Sequence, residues 1–295
     1  MTKELKAFFI LLIIPLLWGI TFPILHKVVA DYSPSLFVLW RFILATILIL
    51  PLFIASVLKR QLNKRDLSYG FAIGVLNSGA FVFQGYALLH MSSSQAAFLT
   101  GINVVMVPFL LPLFGLKRPQ VIEIVAACLC LYGIYWISDA KFDHLDHGDG
   151  LIILSALCIA LAIIVTERAS SKPHSLKLLT FYQIVFTILL PAGVLPKHDW
   201  IIPHSWLFWF GVIYCAIAAT VIPLYLQMKY QKYVGSNKVA IIFSLESLTA
   251  TLAAYFMGET INHRIIIGGG IILLSSILVD LWKLLPWQKI TLLKD

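Results

Sequence analysis

The chain has 295 residues, 60% of them hydrophobic and only 12% charged, with a formal net charge of +8. A soluble domain carries about 25% charged residues, and half that share leaves too little polar surface to solvate a globule of this length. A soluble fold is therefore excluded, and the composition points to an integral membrane protein.

A membrane-crossing helix needs about 20 mostly apolar residues. Ten such runs are predicted in chain order: 7–30, 35–58, 67–90, 95–116, 121–137, 150–165, 176–195, 205–228, 239–258 and 265–285. The first follows Lys3 and Lys6, yet it keeps Trp18 and Pro23 inside it and lacks a small-residue cleavage site. It reads as a retained span, not a signal peptide. With the amino terminus in the cytoplasm, most of the 22 Lys and Arg residues fall at inward ends and loops. Lys27, Lys141, Lys197 and Arg264 fall outside, and Arg41 lies within a span. This bias sets orientation and gives a multi-pass protein of a bacterial cytoplasmic (inner) membrane with both termini cytoplasmic. The positive charge is then a rim facing anionic membrane lipid. Because the basic residues are scattered over loops without a reader motif, no nucleic-acid partner is expected.

Cys128, Cys130, Cys158 and Cys215 all fall in predicted spans and read as small packing residues. The acidic stretch Asp143, His144, Asp146, His147 and Asp149 has the spacing of neither a calcium loop nor a helical zinc pair. No metal and no cofactor are expected, and no residue carries a signal of oligomeric state.

The longest polar interruption, 138–150, separates two sets of five runs. "PSLFVLWRFILATILILP", ending at Pro51, lies over "HSLKLLTFYQIVFTILLP", ending at Pro191. "AAFLTGINVVMVPFLLPLFGL" lies over "VAIIFSLESLTATLAAYFMGE", which sets Asn103 on Glu246. The expected architecture is thus an all-α integral membrane protein, ten transmembrane helices forming two inverted five-helix repeats. Its parts are a first repeat at 1–138, an extracytoplasmic joint at 139–149, and a second repeat with a short cytoplasmic tail at 150–295. Five is odd, so the second half enters upside down. Secondary transporters recurrently use this build, with the solute site near the midplane between the halves.

"LLWGITFPILHK" (16–27), then Pro34 and "WRF" (40–42), resembles the opening of the drug/metabolite transporter superfamily, EamA-type. The stretches "GYALLHMSSSQAAFLTGINVVMVPFL" and "FSLESLTATLAAYFMGETINHRIIIGGGIILLSSILV" carry the resemblance through both halves, most specifically at Glu246 and the terminal pair Gly258 and Glu259. The sequence departs from the family's pattern where that pattern often has proline: Ser247 and Val104 stand there. The first half ends in Gly115 and Leu116 in place of the Gly-Glu pair. The resemblance implies a carrier of a metabolite, amino acid or drug-like solute.

Glu246 lies about 12 Å along a helix from Lys238, well inside a ~30 Å hydrocarbon slab. A carboxylate there costs roughly 2.5–3.5 kcal/mol on insertion scales, so it should face a cavity or a partner. Three readings stand open: it binds a cationic group of the solute, it takes up a coupling proton, or it bonds a neighbouring helix. Arg41, about 9 Å from the outer end of its span, either snorkels to the interface or pairs with a carboxylate, of the solute or of Glu259. Gly70, Gly74, Asn77, Phe81 and Gln84 share one face of the third run, as a pore lining or a close-packing stripe. Ala250, Ala254 and Gly258 form a seam for helix contact in the ninth. The expected substrate-binding residues are Glu246, Asn103, Thr100, Asn77, Gln84, Trp18 and Thr21, with Arg41 as a charge partner. No catalytic set assembles, and no ATP-binding motif occurs. The expected function is secondary transport of a small polar or amphipathic, amino-acid-like metabolite by alternating access, driven by a gradient or by exchange. The alternative is a membrane-embedded enzyme acting on a lipid-linked substrate with Glu246 as acid or base.

Overall fold

The computed structural model describes residues 2–59, 61–116, 119–138, 147–171, 173, 175–258 and 263–284, and among them every regular element is a helix. In chain order the helical stretches are α1 (Lys3–Val29), α2 (Pro34–Leu58), α3 (Lys64–Ala87), α4 (Ser93–Phe114) and α5 (Val121–Ser138). They continue with α6 (His147–Ser171), α7 (Leu176–Val194), α8 (Trp206–Tyr233), α9 (Ser236–Phe256) and α10 (His263–Leu284). Seven of them, all but α3, α5 and α10, are long and apolar enough to cross a membrane by length and composition.

Local chemistry sets the starts. The side chains of Thr2, Asn63, Ser92, Ser175 and Ser205 each accept a bond from a first-turn N–H, and Pro34 opens α2, where its missing N–H costs nothing. α6 begins at His147 and runs to Ser171, beyond the expected 150–165 at both ends. Asp149 in its first turn and Arg168 in its last complement the helix dipole, so the helix outlasts its apolar stretch. The acidic stretch 139–146 and Glu259 lie outside the described residues.

Several stretches are interrupted. α4 breaks at Gly101 and Ile102, just before Asn103, and α9 breaks at Ser244, just before Leu245 and Glu246. The hydroxyls of Ser244 and Ser247 donate back to Ile241 O and Ser244 O, both at 2.6 Å, in competition with the helical ladder. The seam expected at Ala250, Ala254 and Gly258 is shorter than read. Ala250 and Ala254 are fully buried, but α9 stops at Phe256 and Gly258 turns the chain at φ 104°, a backbone region that favours glycine.

The ends of the helices gather in two layers. At one, the first turns of α1, α5 and α9 meet the last turn of α6: Lys238 Nζ donates to Glu4 at 2.9 Å, Asn237 to Glu123 at 2.8 Å, and the Ser236 backbone N–H to Glu167 at 2.8 Å. The Ser236 hydroxyl also donates to Glu167. Asp66 at the start of α3 accepts from the Ser175 N–H before α7 in the same layer. At the other, His26 of α1 donates to Leu88 O after α3, and Lys27 to Met257 O after α9. Between the layers lie apolar clusters. One joins α1, α4, α5, α6 and α9 around Phe98 and Phe243; another joins α1, α2 and α8 around Phe22, Phe37 and Phe208. Large apolar side chains such as Phe109, Leu113, Trp206 and Phe256 cover the outside.

Candidate functional site

Between the two layers, polar groups from five helices interrupt the apolar packing. Arg41 of α2, Asn77 and Gln84 of α3, Asn103 of α4, Gln227 of α8 and Glu246 of α9 line one cavity. Trp18 and Thr21 of α1, Phe81 of α3 and Phe243 of α9 complete much of its wall. Water-sized spheres find about 40 Å³ there, room for only a few waters.

Local structure explains why these side chains point inward. The break at Gly101 and Ile102 leaves Asn103 as the first residue of a half-helix, where its Nδ2 donates to Thr100 O at 2.8 Å. Among the described residues its Oδ1 is buried without a hydrogen-bond partner, as is Asn77 Nδ2. Glu246 sits in the first turn of its half-helix, where the dipole favours a carboxylate. It is half-buried, and among the described residues no ion pair within 4.0 Å reaches it.

Arg41 is buried, with 3% of its surface exposed. The snorkelling reading is thereby corrected: Nε donates to Thr220 Oγ1 at 2.7 Å and Nη2 to Ala219 O at 2.9 Å, drawing the guanidinium inward. It lies over the Phe81 ring, 4.3 Å from the centroid, a cation–π contact. Ala219 O also accepts from Trp18 Nε1 at 2.8 Å. That carbonyl is available because residues 217–221 form a π-helical turn and residue 223, four further on, is a proline with no N–H to give it.

Six of the seven expected binding residues share this wall, together with Arg41. Thr100 does not. Its hydroxyl turns back to Ala96 O at 2.8 Å, and its part is to lend a carbonyl to Asn103. The stripe on α3 divides: Asn77, Phe81 and Gln84 face the cavity, whereas Gly70 and Gly74 pack against α7. A Cβ there would come within 2.4 Å of Tyr182 Cβ and 2.6 Å of Phe186 Cβ respectively. Gln227 was not anticipated. It falls at the end of its predicted run, beside Lys229, where an amide looks like an interfacial residue. The available signal was Pro223 four residues earlier, which marks backbone that side chains can use.

The profile of the EamA-like transporter family matches residues 5–139 and again 147–280. The chain belongs to the EamA-like transporter family. Similar proteins include an uncharacterized transporter of Archaeoglobus fulgidus, 27% identical over 95% of this chain and 87% of that one. The uncharacterized transporter YyaM of Bacillus subtilis is 24% identical over 92% and 93%. A solved crystal structure shares the fold at a TM-score of 0.72, with 16% identity over 94% of this chain and 97% of that one. Family membership and the apolar helices together make this EamA-like protein a multi-pass membrane protein of a transporter family.

Proposed function

We propose that this chain is a secondary transporter that moves a small polar or amphipathic, amino-acid-like metabolite across the cytoplasmic membrane by alternating access. The observation that carries the reading is the enclosed polar ring with Arg41 and Glu246 in one wall. Polar groups at that depth are expensive, and they mark solute pathways. Ten crossings are supported by the bonds that tie the starts of α1, α5 and α9 to one another and to the end of α6, and the start of α3 to that of α7, as antiparallel spans require. Two inverted repeats, 1–138 and 150–295 about a joint at 139–149, are supported by the double family match and by the breaks that precede Asn103 and Glu246 alike. The basic layer faces the cytoplasm with both termini, by the charge bias. Glu246 meets the solute directly, as partner of a cationic group or as carrier of a coupling proton.

The test is flux. In sealed liposomes, labelled amino acids, amines and nucleosides are followed with and without a proton gradient. At least one solute should move, and Glu246→Gln should abolish its gradient-driven uptake while leaving the protein folded. Chemical conversion of a lipid-linked substrate without net flux would replace this reading with the enzymatic one.

A further inference from the structure

A second cleft lies away from the central cavity, at the layer of helix ends that holds Asp66 and Ser175. The end of α2, the start of α7 and the last third of α8 enclose it, and Lys59, Gln61, Ser175, Lys177 and Tyr225 line much of its wall. Water-sized spheres find about 400 Å³ there, against about 40 Å³ in the central cavity. Ala55, Lys59 and Lys177 are exposed at its rim. Transport through the centre of the molecule makes no use of this space.

The cleft is basic. Among the described residues no carboxylate pairs with Lys59 or Lys177 within 4.0 Å. Lys229 adds a third cation beside it, with Nζ 5.8 Å from the centroid of the Tyr225 ring. Asp66 is buried and accepts from the Ser175 N–H, so its charge is not offered at the surface. The Ser175 hydroxyl reaches Gln61 Oε1 only at 3.5 Å, long for O–H···O, and can turn to a stronger acceptor. A cleft lined by one sign of charge concentrates the opposite ion. Its surroundings say which anion. Leu50, Ile54 and Leu58 of α2, spaced four apart on one face, are exposed and run up to Lys59. A soluble anion gains nothing from that apolar stripe, whereas an acyl chain is covered by it. Basic pockets between spanning helices at a membrane surface suit phospholipid headgroups.

We propose that this cleft seats the phosphate headgroup of one anionic phospholipid, with Lys59 and Lys177 as its cationic partners and an acyl chain laid along Leu50, Ile54 and Leu58. Each lysine acts as a point charge on the phosphate, and each is worth about fivefold in affinity beside an anionic leaflet. The general attraction of a basic layer becomes a site where these charges converge on a slot wide enough for the glycerol. The assignment requires only that this layer lie at a membrane surface; it is independent of the solute, the coupling and the direction of transport.

Native mass spectrometry of the purified full-length protein in detergent tests it, with phosphatidylglycerol and the zwitterionic phosphatidylethanolamine as probes. One phosphatidylglycerol should bind at least about tenfold more tightly than phosphatidylethanolamine. Lys59→Gln combined with Lys177→Gln should bring it down to the affinity of the zwitterionic lipid, and the paired change of both lysines to arginine should keep the preference. Ala55→Trp, which fills the cleft and leaves every charge in place, should also lose the preference, and it serves if the double glutamine variant does not fold. Lys3→Gln combined with Lys6→Gln removes the same charge from the start of α1 and should change nothing. Equal binding of the two lipids by the unsubstituted protein overturns the proposal, as does a preference that survives Ala55→Trp. An equal loss in the Lys3 and Lys6 variant also overturns it and makes the attraction a property of the whole basic layer. Displacement of the lipid by inorganic phosphate at equal concentration would overturn it in favour of a soluble anion.

Discussion

Gly19 shows how little slack the site has. A Cβ there would lie 2.0 Å from Thr249 Oγ1 and 2.6 Å from the Ala250 backbone nitrogen, so α1 and α9 touch almost backbone to backbone. Gly19→Ala should therefore force the two helices apart and lower stability by about 1–3 kcal/mol, the usual range for overpacking. Thermal denaturation in detergent would measure it, and an unchanged midpoint would mean the helices are not this close. At this scale much of the wall was legible in advance. Glu246, Arg41, Asn77, Gln84 and Asn103 stand out because a polar atom in an apolar run needs a reason. Thr100 misled because a hydroxyl, unlike an amide, can satisfy itself on its own helix. Arg41's direction was not legible either: a long stem can reach the interface or the interior, and the choice depends on acceptors from a helix far away in sequence.

Among the elements, α8 is the one whose irregularity does something definite. Pro223→Ala would return an N–H to face Ala219 O and pull the π-helical turn towards regular α-helix. The carbonyl now shared by Trp18 and Arg41 would then have a backbone competitor. The expected outcome is a variant that folds at least as stably as the parent but moves solute more slowly, read in the liposome flux assay. The start of α9 supports a second expectation. Glu4 is half exposed, so its pair with Lys238 adds at most about 1 kcal/mol. The bonds from Ser236 and Asn237 to the less exposed Glu167 and Glu123 should hold this layer more firmly. Glu123→Ala combined with Lys238→Ala should loosen it. In a background without native cysteines, Gln227→Cys should then react faster with a thiol reagent offered from the cytoplasmic side. An unchanged rate would mean that these bonds do not close the path. None of this layer was visible in the sequence, where its carboxylates read as ordinary interfacial charge. The break in α9 was equally hidden, since serines in an apolar run do not announce whether they bend it.

For the whole molecule, the class was the most legible property, because hydropathy and charge bias act over tens of residues and average out local ambiguity. The paired stretches suggest a repetition, and the family profile matches the chain twice, over residues 5–139 and 147–280. What the sequence could not supply was the pairing of helix ends into two layers, which depends on contacts between α1 and α9, or α5 and α9, over a hundred residues apart. The ten spans proposed above would put both termini on one side of the membrane. Reporter fusions before Met1 and after Asp295 should both be active only as cytoplasmic fusions, and opposite results at the two ends would require an odd number of crossings.

The bonds from α5 and α6 to α9 lie before its interruption at Ser244, whereas beyond it the Thr249 hydroxyl donates to Pro15 O of α1 at 2.7 Å. Three neighbours clamp the base of this helix, while the portion bearing Glu246 continues past an elbow whose hydroxyls already hold the local carbonyls. The upper arm packs on α1 at Gly19 and Thr249, so a swing at Ser244 would carry the carboxylate and that stretch of α1 together while the lower arm stays bolted. Such a stroke then draws on two places, the backbone bonds at the joint and the seat of Thr249 on α1, with no need to undock the whole rod.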